Sequence, residues 1–184
     1  MIVVVGGSGK DVGKTGLVCA LIATLREFDW TAVKITGHDY AGGDGSAEGG
    51  SGAAIREETE AGEGTDTGRY LAAGARRALL VTRAGEEIPI AEIRSALGSD
   101  RNVMYESNRI AEVVEPDVCL ALVGGHERKA SFERLLRVAD AVVTLGETDR
   151  NDLAEGVALF ELETPDRLST EMVTWVRQRL MNAG

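Results

Sequence analysis

Cysteine is scarce in this chain: Cys19 and Cys119, far apart and each in an apolar setting, are the only two. That count excludes a disulfide framework and a cysteine metal cluster. Both read as small core residues of a protein kept in a reducing compartment, so a cytoplasmic location is expected. Basic charge is also short, with a net charge of −10 and no basic cluster, which excludes nucleic-acid binding and leaves solubility as the use of the charge. No apolar run approaches the roughly 20 residues that span a bilayer. The apolar residues 2–5 are too few for a secretory core and follow no basic segment, so neither membrane nor export is expected. There is no internal repeat. A length of 184 residues, 43% of them hydrophobic, suits one α/β core and is short for two, so 1–184 is expected to form a single domain.

What the chain does have is a strand that runs straight into a glycine-rich loop. Residues 2–15 read IVVVGGSGKDVGKT, and a helical run over 16–26 follows. Strand, glycine loop, Lys-Thr and helix are the parts of a phosphate-binding P-loop. Backbone N–H groups of the loop and the helix N-terminus point at phosphate oxygens, and the helix dipole favours negative charge there. Gly9, Lys10, Asp11, Val12, Gly13, Lys14, Thr15 and Gly16 are therefore the expected nucleotide-binding residues. Lys14 reaches the β/γ-phosphates and Thr15 offers its hydroxyl to Mg²⁺. The spacing departs from the standard motif at one point: the position five residues before Gly13 is Ser8, flanked by Gly7 and Gly9.

Strands and helices alternate along the rest. The expected strands cover 30–35, 78–82, 102–106, 117–123, 141–145 and 157–162. The expected helices cover 67–75, 90–97, 132–139 and 165–181, the last opened by Pro165 and carrying Leu168, Met172, Trp175, Val176 and Leu180 on one face. Trp30 and Trp175 read as core anchors. The run AGGDGSAEGGSG over 41–52, within a glycine-rich loop at about 41–54, buries too little surface to order itself and reads as a flap. The βαβα pattern predicts an α/β, three-layer P-loop NTPase fold, a mostly parallel sheet with helices on both faces.

In such sheets the ligand sits beyond the carboxyl ends of the strands. The polar tails to inspect are Lys34 to Asp39, Glu106-Ser107-Asn108, Gly124 to Glu127 and Gly146 to Asp149. Asp39 and Glu106 join Thr15 as the expected Mg²⁺ ligands, directly or through water. His38 is a candidate general base or water-polarising group beside Asp39, so Lys14, His38 and Asp39 form the expected catalytic set. Lys34 is placed to neutralise phosphate or to hold a substrate carboxylate. Asp66 and Thr67 precede a helical run, and an N-cap is the simplest reading of them. Arg69 sits in the first turn against the dipole, which hints at a separate task such as gripping phosphate or substrate. Gly74 closes the helix. After the strand at 141–145, Glu147 or Asp149 is positioned to read the base, although the usual Asn/Thr-Lys-x-Asp motif is missing.

Three ordered motifs resemble the molybdopterin-guanine dinucleotide biosynthesis protein B family, a group of small P-loop GTP-binding proteins: the P-loop, AVKITGHDY at 32–40 and DTGRYLAAGA at 66–75. Lys34, His38 and Asp39 match that family's histidine-rich strand-end motif. Asp66, Thr67, Arg69, Ala73, Gly74 and Ala75 match its Asp-Ser/Thr-x-Arg segment. The likeness runs over roughly 1–145 and implies Mg²⁺ and GTP as ligands, molybdopterin or a cofactor-biosynthesis protein as partner, and a homodimer. It also implies Asp66 and Arg69 as substrate-side residues, beside Lys34. Departures are visible: Ile35 and Gly37 replace two histidines, and Glu106-Ser107-Asn108 stands where the family has Glu-Gly-aromatic. The loop GSGKDVGKT resembles that of dethiobiotin synthetase, whose relatives use a lysine after the second strand to hold substrate. Two functions follow. One is slow, Mg²⁺-dependent triphosphate hydrolysis, GTP favoured, by an accessory factor of molybdenum-cofactor biosynthesis. The other is an ATP-dependent ligase or kinase acting on a small carboxylate.

Overall fold

The computed structural model describes residues 1–37, 53–83, 85–124, 129–146 and 156–183. Its strands are β1 (Ile2–Gly7), β2 (Thr31–Gly37), β3 (Ala54–Glu57), β4 (Arg77–Arg83), β5 (Val103–Glu106), β6 (Val118–Val123), β7 (Ala141–Leu145) and β8 (Ala158–Leu162). The helices are α1 (Lys14–Thr24), α2 (Asp66–Ala73), α3 (Ile90–Leu97), α4 (Ala130–Leu136) and α5 (Thr170–Ala183). The strands form one sheet in the order β3-β4-β2-β5-β1-β6-β7-β8. All pairings are parallel except β3 on β4, which is antiparallel at the edge.

The alternation of side chains along each strand divides the core into two clusters. Val3 and Val5 of β1 pack with α1, α2 and α5 through Leu17, Leu21, Tyr70, Met172 and Val176. Val4 faces the opposite way and packs with α3 and α4 through Ile93, Leu97, Phe132 and Leu135. Strands buried on both faces need continuous apolar sequence, and VVV in β1 and VCLALV in β6 supply it. The result is the three-layer P-loop NTPase architecture, with α1, α2 and α5 over one face and α3 and α4 over the other. No helix among the described residues is long and apolar enough to cross a membrane.

Local chemistry fixes where the elements stop. Thr65 caps α2 by accepting from Gly68 N at 2.9 Å, so Asp66 is the first helical residue rather than the cap, and its acid favours the dipole. Gly74 ends the helix at φ 107°. The carbonyl of Leu25 after α1 accepts from Trp30 Nε1 at 2.8 Å, which ties the buried indole to a helix end. Trp175 is the other anchor, edge-on to Phe160 at 5.4 Å.

Two sequence expectations are corrected. The stretch 54–57, which overlaps the expected glycine-rich loop at Ala54 and for which no element was expected, is an edge strand. Its short polar sequence AIRE carries no period-2 apolar signal, and the ladder to β4 orders it. The last helix begins at Thr170, not Pro165: residues 165–166 form a turn, and Ser169 Oγ accepts from Met172 N at 3.1 Å just ahead of the helix. The rest of the expected flap, residues 41–52, lies outside the described residues.

Candidate functional site

The loop between β1 and α1 lies at the carboxyl edge of the sheet, at the strand where the strand order reverses: β2 to β5 lie on one side of β1 and β6 to β8 on the other. Such a switch point is where α/β sheets bind ligands. The backbone turns sharply: Asp11 has φ 58° and Gly13 has φ 98°. Aspartate tolerates the left-handed region, whereas Gly13 also needs space, since a Cβ there would meet Pro165 Cγ at 2.6 Å. Pro165, read from sequence as a helix start, is instead a wall of the loop, with Asp166 beside it.

Ser8, the off-pattern residue, is fully buried, and its hydroxyl donates to Gly124 O at 2.6 Å and accepts from Gly124 N at 3.0 Å. A side chain turned beneath the loop leaves the ligand side open, so serine replaces glycine there without closing the cradle. Val12 also turns inward, against Gly7 and Gly124. Asn108 pins the loop's entry: its Oδ1 accepts from Gly7 N at 2.7 Å and its Nδ2 donates to Gly7 O at 2.9 Å. The Glu106-Ser107-Asn108 departure thus has a structural task, for the amide of Asn108 bonds the end of β1 as a glycine or phenylalanine cannot.

Lys14, Thr15 and Glu106 converge. Lys14 Nζ donates to Gly9 O at 2.7 Å. Burial lowers the Lys14 pKa, partly offset by the charge of Glu106. Thr15 Oγ1 donates to Glu106 Oε2 at 2.8 Å. Glu106 is 4% exposed and also accepts from Lys34 Nζ at 3.0 Å and from the buried Tyr70 hydroxyl. Lys34, in the middle of β2, pairs with Asp66 as well and lies 3.5 Å from Thr15 Oγ1. Burial opposes the Lys34 charge, but Glu106 and Asp66 outweigh it and raise the pKa. Burial, then Glu106, holds the Tyr70 phenol well above its ordinary value, so it stays a donor. Arg69 lines the same cleft and pairs with exposed Glu63 at 3.3 Å, its nearest approach to Asp66 being 4.0 Å.

The structure thus brings Gly9, Lys10, Asp11, Gly13, Lys14, Thr15, Gly16, Lys34, Asp66, Arg69 and Glu106 onto one cleft of about 830 Å³. His38, Asp39, Glu147, Asp149 and His126 lie outside the described residues. Sequence reading missed Tyr70, Asn108, Arg83, Arg109, Lys129 and Pro165. Only Asn108 carried a signal, as part of a departure from the resembled motif. The donor set suits Mg²⁺: a P-loop hydroxyl and a carboxylate touch, both are hard oxygens, and Mg²⁺ needs one or two protein oxygens plus water. Among the described residues no group of three or more His, Cys, Asp or Glu gathers, so a cage of the zinc or calcium kind is not built there.

The sequence matches no protein-family model and no curated protein. Among solved structures it is similar to LpxK from Aquifex aeolicus, solved in complex with ATP: TM-score 0.53, 17% identity, 87% of this chain covered. The chain spans about half of that protein, 53% of its length. The likeness is one of fold, and the fold it shows is that of the P-loop NTPases.

Proposed function

We propose that the chain binds a nucleoside triphosphate with Mg²⁺ on the β1–α1 loop and turns it over. The observation that supports this best is the contact between Thr15 and the buried Glu106, set directly behind the helix N-terminus. In this reading the loop amides and the α1 dipole take the β-phosphate oxygens, and Lys14 shifts its ammonium from Gly9 O to the β/γ-phosphates. Thr15 and Glu106 are the residues that would hold Mg²⁺, which supplies charge neutralisation on the phosphate oxygens. Tyr70 and Lys34 hold the Glu106 carboxylate in its orientation by donating to it. Asp66 fixes Lys34 in turn. The cleft charge supports an anionic ligand: among the described residues seven lysines and arginines and four carboxylates line it, in a chain of net charge −10.

GTP turnover in the service of molybdenum-cofactor maturation, in a homodimer, rests on the three motifs quoted above. A second reading, an ATP-dependent kinase or ligase acting on a small anionic acceptor, is favoured by a specific observation: the cleft continues past the loop to Arg83 and Arg109. ATP in the LpxK complex agrees with it. Turnover measured with GTP and with ATP, each with and without Mg²⁺, separates the two. Slow GTP hydrolysis that responds to a pterin partner supports the first. ADP release that needs a small carboxylate or other acceptor supports the second. Absence of Mg²⁺-dependent turnover with either nucleotide contradicts both.

A further inference from the structure

The phosphate loop accounts for one end of the cleft only. Moving outward from β1, the sheet passes β5 and β2 before β4, whose last residue is Arg83, in register with Gly37. Three strand spacings separate β1 from β4, about 14 Å at about 4.8 Å each. A triphosphate seated on Lys14 and Thr15 leaves that far end to another molecule.

Arg83 at that end and Arg109, which follows the nearer strand β5, line the same cleft. Arg83 has no carboxylate partner among the described residues, and its Nη1 donates to Gly85 O at 2.7 Å. Arg109 follows β5, positioned by Ser107, whose Oγ accepts from the backbone N of Arg109 at 3.1 Å and of Ile110 at 3.3 Å. The Arg109 guanidinium pairs through Nη1 with Glu86, a side chain 92% exposed, and its buried Nε makes no hydrogen bond, its nearest carboxylate being Glu112 at 3.8 Å. The two guanidiniums, both lining one cleft, are therefore tied to consecutive residues, 85 and 86. Lys34, by contrast, is engaged by Asp66 and Glu106. Guanidiniums present flat forks that match phosphate or carboxylate oxygens in pairs, and the exposed Glu86 is a contact that such an oxyanion can replace.

We propose that Arg83 and Arg109 form a second oxyanion subsite, which holds the anionic end of a co-substrate whose other end faces the nucleotide. The proposal rests on the nucleotide-binding reading and names the class of its second substrate: a molecule carrying a phosphate or carboxylate at the end away from the reacting group.

The test begins with protein saturated with Mg²⁺ and a non-hydrolysable triphosphate analogue, so that the loop is filled. Methyl phosphate and acetate are then titrated separately by calorimetry into wild type, Arg83→Ala and Arg109→Lys. The expected result is one further anion site in wild type, weakened at least about tenfold in Arg83→Ala and in Arg109→Lys, which keeps the charge but loses the fork. Nucleotide affinity is expected to stay within about twofold in both. Tighter methyl phosphate names a phosphate ester as the co-substrate, and tighter acetate names a carboxylate. Nucleotide binding with no further anion site, or an anion site of wild-type affinity in both variants, overturns the subsite and leaves the loop reading standing. Failure of the analogue itself to bind overturns the loop reading, and the subsite with it.

Discussion

Replacing Tyr70 by phenylalanine removes one oxygen from the middle of the site and nothing else. Tyr70 is wholly buried, and its hydroxyl donates to Glu106 Oε2, which also accepts from Thr15 at 2.8 Å. A hydrogen bond to a charged acceptor contributes about 1.5–3 kcal/mol. Because Thr15 and Lys34 still satisfy the carboxylate, the loss belongs in the lower half of that range, about 1.5–2 kcal/mol. For a chain of this size each kcal/mol moves Tm by about 2–4 °C, so Tyr70→Phe should melt about 3–8 °C lower. Thermal unfolding followed by circular dichroism measures this. A double-mutant cycle with Glu106→Gln should give a coupling of about 1 kcal/mol or more. A fall in Tm below about 1 °C, or additive effects in the cycle, would refute the claim that Tyr70 holds Glu106.

Three further outcomes are expected. Gly13→Ala should lower stability by about 1–2 kcal/mol from the left-handed backbone alone, with more from Pro165, whose Cγ would lie 2.6 Å from the new Cβ; chemical denaturation measures it. Ser8→Gly should leave nucleotide binding intact while costing stability by about 1 kcal/mol, since among the described residues its hydroxyl bonds to Gly124, beneath the loop. Burial pushes the Cys119 thiol up to about 12, so at pH 8 the native protein should resist iodoacetamide at Cys119, with thiolate at about one part in ten thousand. The native state then keeps a proton that the unfolded chain releases above about pH 9, so stability should fall as pH rises between about 9 and 12; Cys119→Ala should show a flatter slope over that window.

The parts of the fold that were legible are those whose signal is local. The strand, loop and helix of residues 2–26 announce themselves because a fully apolar strand, a run of glycines and a Lys-Thr pair lie within a few residues of each other. The helix faces and buried strands follow from periodicity. β3 was not legible: Ala54–Glu57 is short and polar, and only its ladder to β4 makes it a strand. Pro165 looked like a helix start because proline favours that place, yet packing against Gly13 and Gly16 put it in a turn five residues earlier. In the site, Lys14, Thr15 and Glu106 could be named from their position after strands. Tyr70 could not, because a tyrosine on a helix reads as core until the sheet places Glu106 against it. The same holds for Arg83 and Arg109, which are 26 residues apart in sequence yet line one cleft and bond to the adjacent residues 85 and 86.

The central claim is that Lys14 and its loop hold a triphosphate. Its most direct test is calorimetric titration of non-hydrolysable GTP and ATP analogues, with Mg²⁺, into wild type and Lys14→Ala. One site per chain is expected in wild type, with an affinity lower by at least about a hundredfold in the variant, the loss of one or two charge-assisted hydrogen bonds. Equal affinity in the two proteins, or no binding to wild type, would contradict it.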